Sequence, residues 1–404
     1  MPDPSKTAVI IEGARTPIGR FMGGLAPLGA PDLGGVAIRA ALERSGIDAS
    51  HIDDVVLGNV VSAGLGQAPA RQAALAGGVP DTVGAMAVSR VCGSGLMAVM
   101  LGAQAIRAGD ARVMVAGGME SMSNVPYYVK GMRQGVKFGH QQMTDGLLHD
   151  GLWCGFESCH MGGHAEYTAH KAGISREDAD RFSLESHQRA IAAIDAGKFA
   201  AEIAPVAIET RKGTTVIETD EPPRRDTSLE ALGKLPPAFR ADTSKEITDL
   251  VVTAGNAPGL NDGAAALIIT SEEYARAHGF KIRARINAYS TGAVAPRELF
   301  FAPVRAVRRV MEKEGTQIGD YDLIEANEAF AVQALADGRE LGWDWDRVNV
   351  HGGAVALGHP IGASGARILV TLLGAMADRD AERGLATLCL GGGDAVALSV
   401  ERMS

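Results

Sequence analysis

Two stretches of this chain echo each other at a nearly constant distance. "GSGLMAVMLGAQAIRAGDARVMVAGG", which starts at Gly93, has a counterpart in "GASGARILVTLLGAMADRDAERGLATLCLGGG" near the far end. Ser94-Gly95 recurs as Ser364-Gly365, 270 residues on, and Leu101-Gly102-Ala103 as Leu373-Gly374-Ala375, 272 on. Upstream, "IDDVVLGN" resembles "YDLIEANE", which sets Asp53 against Asp322 at 269. Two unrelated α/β units can mimic one such match, but they have no reason to keep the offset. The pattern therefore predicts a duplicated fold with the same element order in each half.

The local signals agree. "TAVIIEGART" reads as a buried first strand that ends near Gly13. "DLGGVAIRAALERSG" reads as a helix closed by Gly46, and "IDDVVLGNV" as another strand. Apolar strands alternating with helices indicate a parallel α/β arrangement. Between the halves lies different material. It begins with the Met-, Gly- and Tyr-rich "MESMSNVPYYVKGMRQGVKFGHQQMTDGLLHDG". A helix follows, with Ser175 as N-cap, Glu177 and Asp178 in its first turn, Phe182, Ile191 and Ile194 on one face, and Gly197 at its end. The loop-rich "DEPPRRDTSLEALGKLPPAF" comes next. The expected division is residues 1–120 with 251–275 as the first half, 121–250 as an inserted loop domain, and 276–404 as the second half.

Composition excludes several functions. The net charge of −9 argues against nucleic acid as the main partner. Four cysteines in 404 residues are too few for a disulfide framework, and a reducing cytoplasm is the default. The first residues lack the pattern of a secretory leader, and "VERMS" matches no peroxisomal address. The apolar stretches read as too short for a membrane span. Neither a GxxxxGK[ST] loop nor a GxGxxG turn in the required context occurs.

Four places can carry chemistry. Cys92 sits in the glycine turn "CGSG" ahead of an apolar helix from Leu96 to Ile106. A helix N-terminus lowers a thiol pKa and offers free N–H groups, so Cys92 reads either as a nucleophile or as a small buried residue. Cys389 ends an apolar strand at "CLGGG", where α/β sheets place ligands, and alone reads as a core cysteine. His359, fixed by Pro360 within "HGGAVALGHPIGASG", suits a base for a thiol. Asn327 in "EANEAF" suits either an oxyanion contact or a helix cap. In "CGFESCHMGGH", Cys154, Cys159, His160 and His164 have a spacing awkward for zinc, and no metal is expected.

These segments together closely resemble the thiolase family. "VCGSG", "VTAGNAPGLNDGAAA", "EANEAFA", "NVHGGAVALGHPIGASGARI" and "CLGGG" occur in the family's order and spacing, and the likeness spans essentially the whole chain. The resemblance implies the thiolase fold: two βαβαβαββ halves in a five-layered αβαβα body, with a loop domain inserted in the first. It implies an acetyl-CoA C-acyltransferase acting on acetoacetyl-CoA or a longer 3-ketoacyl-CoA. By the same resemblance Cys92 is the acylated nucleophile, His359 its activator, Cys389 the acid/base at the α-carbon, and Asn327 the holder of an oxyanion water. The backbone N–H groups of Cys92 and Gly391 form a second hole. His160, Met161, Arg224 and Leu299 fall among substrate and coenzyme A contacts. Coenzyme A is substrate and product, no cofactor is implied, and the chain is expected to pair into dimers or tetramers, through the loop Met122 to Met143 in the latter. The sequence departs from the family pattern at Ser89, Pro258, Phe300, Phe301 and Asp394.

Overall fold

Asp53 and Asp322 do the same work 269 residues apart. Asp53 Oδ2 accepts from the backbone N–H groups of Arg112 and Val113, at 2.6 and 2.9 Å. Asp322 Oδ2 accepts from those of Glu382 and Arg383, both at 2.9 Å. Each carboxylate clamps the start of one strand to the start of its parallel neighbour.

The strand order extends the correspondence. In this computed structural model, which describes residues 3–211 and 213–403, nine strands form the main path of one large sheet. They are β1 (Ala8–Arg15), β2 (Asp54–Gly58), β3 (Gly84–Val88), β4 (Val113–Ser121), β5 (Asn261–Ser271), β6 (Ala284–Ala293), β7 (Leu323–Ala326), β8 (Arg383–Leu390) and β9 (Asp394–Arg402). The order is β7-β8-β9-β6-β1-β5-β4-β2-β3. In the first half β2 runs parallel to β4, and β4, β5 and β1 follow antiparallel. In the second, β7 runs parallel to β8, and β8, β9 and β6 follow antiparallel. The parallel partner β3 on the other side of β2 is matched by one bridge from Ile324 to Val348. The halves join where Val9 and Ile10 pair with Arg285 and Ala284.

The helices fix the layers. They are α1 (Ala30–Ser45), α2 (Pro69–Ala76), α3 (Ser94–Ala108), α4 (Met161–Ala172), α5 (Arg176–Asp195), α6 (Ala302–Glu314), α7 (Ala331–Leu341) and α8 (Ile361–Asp378). The duplicated α3 and α8 pack together between the half-sheets, through Leu96, Val99, Ile368 and Leu372. Helices α1 and α2 cover the outer face of the first half, and α6 that of the second. That is the αβαβα arrangement. The two central helices cross at the repeated Ser-Gly pair. A Cβ on Gly365 would lie 2.4 Å from Leu96 N, and one on Gly95 would lie 2.7 Å from Ala366 N. Only glycine allows backbones to approach so closely.

Three sequence expectations need correction. β1 continues two residues past Gly13, whose missing side chain leaves room for Val370 of α8. The segments Val91–Ala108 and Ile361–Asp378 do reach the length and hydropathy of a membrane span, yet here they are packed core helices. In α5 the buried face is Ala179, Ser183, Ser186, Ala190 and Ala193, with Phe182, Ile191 and Ile194 only partly covered. Small residues win that face because backbone approaches it: a Cβ on Gly352 would meet Ser186 O at 2.6 Å. The cap and the Gly197 stop stand as read.

The intervening segment is tied to the first strand by a buried cation. Arg15 donates from Nε to Glu202 at 2.6 Å and from both terminal nitrogens to Asp220 at 2.8 and 2.9 Å.

Candidate active site

The turn before α3 is strained at one residue. Val91 has φ +45°, a region that a β-branched side chain rarely enters. The strain is held by Ser94, whose hydroxyl donates to Val91 O at 2.6 Å and accepts from Arg90 N–H at 2.8 Å. Cys92 is thereby lifted out of the helix and exposed to a cavity of about 400 Å³.

That cavity collects residues from across the chain. Cys92, His359, Cys389 and Gly391 line it together. So do His160, Met161 and Leu299, with Leu147, Leu148, Pro258, Phe239, Phe300 and Phe330 completing an apolar wall.

His359 has an assignable proton. Its Nδ1 lies 2.6 Å from Ser364 Oγ, and that hydroxyl gives its only proton to Pro360 O at 2.9 Å. With the hydroxyl turned to Pro360 O, Nδ1 carries a hydrogen and donates it to Ser364, and Nε2 is then the basic nitrogen. Nε2 is buried and meets no protein partner among the described residues. The backbone N–H of His359 donates to Asn261 Oδ1 at 2.8 Å, which fixes the residue after its glycine. Burial, with Arg367 nearby, depresses the ring to about 3, so it stays neutral.

The thiols are also neutral at rest. Burial pushes Cys92 up to about 12, against the pull of the Cys92 and Gly391 backbone N–H groups that favour its anion. The direction is opposite to the one a helix terminus alone would give, with burial as its largest cause. Cys389, only 1% exposed, is raised well above an ordinary thiol by burial and then by Cys92. The resting site therefore pairs a thiol with a neutral imidazole, and the two N–H groups wait where negative charge develops.

Two site residues lie off this cavity. Asn327 is 1% exposed, its backbone N–H bound to Thr387 O at 3.0 Å. Both ends of its side-chain amide lack a protein partner among the described residues, and it does not line the cavity. Arg224 lines an adjoining cavity with His187 and Arg20, which shares Ala257, Gly259 and Leu260 with the first. His160 caps α4 through Nδ1, which accepts from Gly162 N–H at 3.0 Å, and its ring stacks on Phe239 at 4.6 Å.

Glu120 was not singled out from sequence. It is buried and accepts from the backbone N–H groups of Val60, Val61 and Gly362 and from Asn59, at 2.9 to 3.2 Å. It fixes the start of α8 just after His359. Burial raises it to about 7. Ser364 carried a signal that was available, because it is the repeat partner of Ser94.

The chain matches the pattern described as "Thiolase, N-terminal domain" over residues 8–273 and "Thiolase, C-terminal domain" over 280–402. The chain belongs to the thiolase family. An acetyl-CoA acetyltransferase of Pseudomonas aeruginosa is 54% identical to this thiolase over 395 residues, spanning 98% of the chain and 99% of the relative. One from Escherichia coli strain K12 is 52% identical over 401 residues, spanning 99% and 100%. The crystal structure of the Bacillus anthracis acetyl-CoA acetyltransferase superposes with a TM-score of 0.95 at 41% identity, covering 98% of this chain and 99% of that one.

The structure accounts for most of this thiolase's unusual residues. Phe300 lines the cavity, whereas Phe301 packs outside it under Lys171. Pro258 is a cavity wall. Asp394 is the partner of Arg90. Ser89 is exposed, and nothing in the structure explains it.

Proposed function

We propose that this thiolase is an acetyl-CoA C-acyltransferase that works through an acyl-Cys92 intermediate, most readily on acetoacetyl-CoA. The observation that carries the reading is the convergence of Cys92, Cys389, His359 and Gly391 on one apolar cavity. Cys92 Sγ attacks the thioester carbonyl of an acyl-CoA as His359 Nε2 takes its proton. The carbonyl oxygen gathers charge beside the Cys92 and Gly391 N–H groups. The coenzyme A thiolate leaves, takes the proton of Cys389 and departs as the thiol, so the acyl group stays on Cys92 and Cys389 is left as a thiolate. Cys389 then removes a proton from the α-carbon of a bound acetyl-CoA. The resulting carbanion attacks the acyl carbonyl, a carbon–carbon bond forms, and Cys92 thiolate is expelled and recovers its proton from His359. The reverse sequence is thiolysis. The preformed Cys92 and Gly391 N–H donors lower the barrier because they need no reorganisation.

Asn327 supports this with an unpartnered buried amide suited to ordering a water near the second carbonyl. The crowding of Leu299, Phe300, Phe330 and Met161 favours a short acyl group over a long one. Arg224 and His187 in the adjoining cavity suit the anionic part of coenzyme A. This reading assigns coenzyme A as substrate and product, with no further cofactor. It also takes the chain as a cytoplasmic homo-oligomer, a dimer or a tetramer. The exposed Tyr127, Met132, Phe138 and Met143 offer a face for pairing. The test is thiolysis of 3-ketoacyl-CoA across chain lengths, compared as kcat/KM. Highest values for the four-carbon substrate support the reading, and a maximum at longer chains replaces it with a long-chain thiolase.

A further inference from the structure

Cys154 and Cys159 play no part in the chemistry above, yet the fold sets them directly opposite each other. They are register partners in a two-stranded hairpin, Cys154 facing Cys159 and Trp153 facing His160. Opposed residues of an antiparallel pair have Cα atoms about 4.5 to 5.5 Å apart and share a face, within the roughly 4.4 to 6.8 Å that a disulfide spans. The four-residue tip is held by Ser158 N–H on Cys154 O at 2.9 Å, so the strands stay in register. Cys154 is buried, and Cys159 is partly open. Cys159 Sγ lies 3.6 Å from His164 Nε2, one turn into α4. His164 is itself buried, which keeps its ring neutral and able to accept a proton.

We propose that Cys154 and Cys159 are a dithiol modification site, oxidised to a disulfide by a low-molecular-weight disulfide, with His164 as the proton acceptor for Cys159. The open thiol reacts first. Its proton passes to His164, and the Cys159 sulfur attacks one sulfur of the small disulfide. That S–S bond breaks, and one small thiol leaves with the proton. Cys154 then loses its proton and attacks Cys159 Sγ of the mixed disulfide. The intramolecular S–S bond forms and the second small thiol departs. Two protein thiols are oxidised by two electrons and one small disulfide is reduced to two thiols. Burial holds the Cys159 thiol up at about 11, so the exchange is slow unless His164 assists.

The location gives the modification a consequence. The hairpin tip carries Phe156 to within 3.5 Å of a Cβ built on Gly392, beside the turn that holds Gly391. Its second strand runs straight into His160 and Met161 in the cavity wall.

The experiment uses the whole protein and oxidised glutathione, followed by alkylation of remaining thiols and cleavage after glutamate without reduction. Glu157 lies between the two cysteines, so a Cys154–Cys159 bond leaves two fragments joined, separable by dithiothreitol. That joined pair is the expected product. Cys154→Ser should instead trap a stable glutathione adduct on Cys159, and His164→Gln should slow the joining at least tenfold. Alkylation of both cysteines in the oxidised sample overturns the proposal, as does a stable glutathione adduct on Cys159 of the unaltered chain. A bond from either cysteine to Cys92 or Cys389 also overturns it. The mapping on the unaltered chain stands whether or not the variants fold.

Discussion

Arg90 donates to a single oxygen of Asp394, from Nε at 2.9 Å and from Nη2 at 2.5 Å. Arg90 stands two residues before Cys92, and Asp394 three after Gly391. The ion pair therefore bridges the segment that holds the nucleophile to the segment that holds the donor of its oxyanion. Both side chains are about a quarter to a third exposed, so the pair contributes on the order of 1 kcal/mol. Asp394→Ala is expected to lower kcat about fivefold with little change in KM, since it loosens the alignment and not the binding. The charge-swapped double variant, Arg90→Asp with Asp394→Arg, should recover part of the loss. Equal falls in kcat for the single and double variants count against a positioning role.

The Ser364 hydroxyl fixes the His359 tautomer. Ser364→Ala removes the acceptor of the Nδ1 proton, at a cost of about 1 to 3 kcal/mol where a buried donor is left unpaired. The expected result is a kcat at least tenfold lower in a protein of nearly native melting temperature. Unchanged kcat means that another group orients the ring.

A resting site of neutral thiol and neutral imidazole has a distinct pH signature. Alkylation of Cys92 by iodoacetamide, followed on its own peptide, should accelerate with pH without levelling off near neutrality, because burial lifts the thiol toward about 12. A plateau near neutrality indicates a preformed thiolate–imidazolium pair and contradicts the assignment. His359 also links stability to pH. Its folded pKa near 3 lies below the ordinary 6.5, so stability is full above 6.5 and falls as pH drops toward 3. His359→Gln should melt with a shallower decline across that acidic window.

The crossing of α3 and α8 is a test of the duplicated core. Gly365→Ala drives a Cβ to 2.4 Å from Leu96 N, against backbone that has no room to yield. A loss of more than about 2 kcal/mol in unfolding free energy is expected. Gly102→Ala, in the same layer, meets Ile269 Cδ1 at 3.4 Å and the Cβ atoms of Ala116 and Met114 at 3.6 Å, all ordinary contacts, and should be neutral or slightly stabilising. Similar losses for both remove the special status of the crossing.

Phe300 lines the cavity beside Leu299 and Phe330. Phe300→Ala should shift kcat/KM toward longer 3-ketoacyl chains by about tenfold relative to the four-carbon substrate. No shift assigns chain-length selection elsewhere.

What the sequence made legible follows from range. The duplication was readable because Asp53 and Asp322, Ser94 and Ser364, and the paired glycines each do the same work in their own half, whether within a few residues, as the serines do, or across some sixty, as the aspartates do. Cys92 and His359 drew notice because glycines close by in sequence set their turns, whereas Cys389, the penultimate residue of β8, alone read as a core cysteine and took its role, like Gly391, from the resemblance to the family. The cavity wall was not. Leu147, Phe239 and Phe330 come from separate segments that share no period. The burial that raises the Cys92 thiol was not legible either, because a helix terminus is visible in sequence while burial is tertiary. The α5 face misled because close backbone approach selects Ala and Ser where hydropathy points to Phe and Ile. Asp394 was an isolated oddity until folding brought Arg90 to it.

The central claim is that Cys92 carries the acyl group and Cys389 handles the α-proton. The most direct measurement treats Cys389→Ser with acetyl-CoA, quenches in acid, and maps the modified peptide by mass. The account predicts one acetyl group on Cys92, released coenzyme A in equal amount, and no acetoacetyl-CoA. Acetylation at another residue, or condensation surviving in Cys92→Ala, contradicts it.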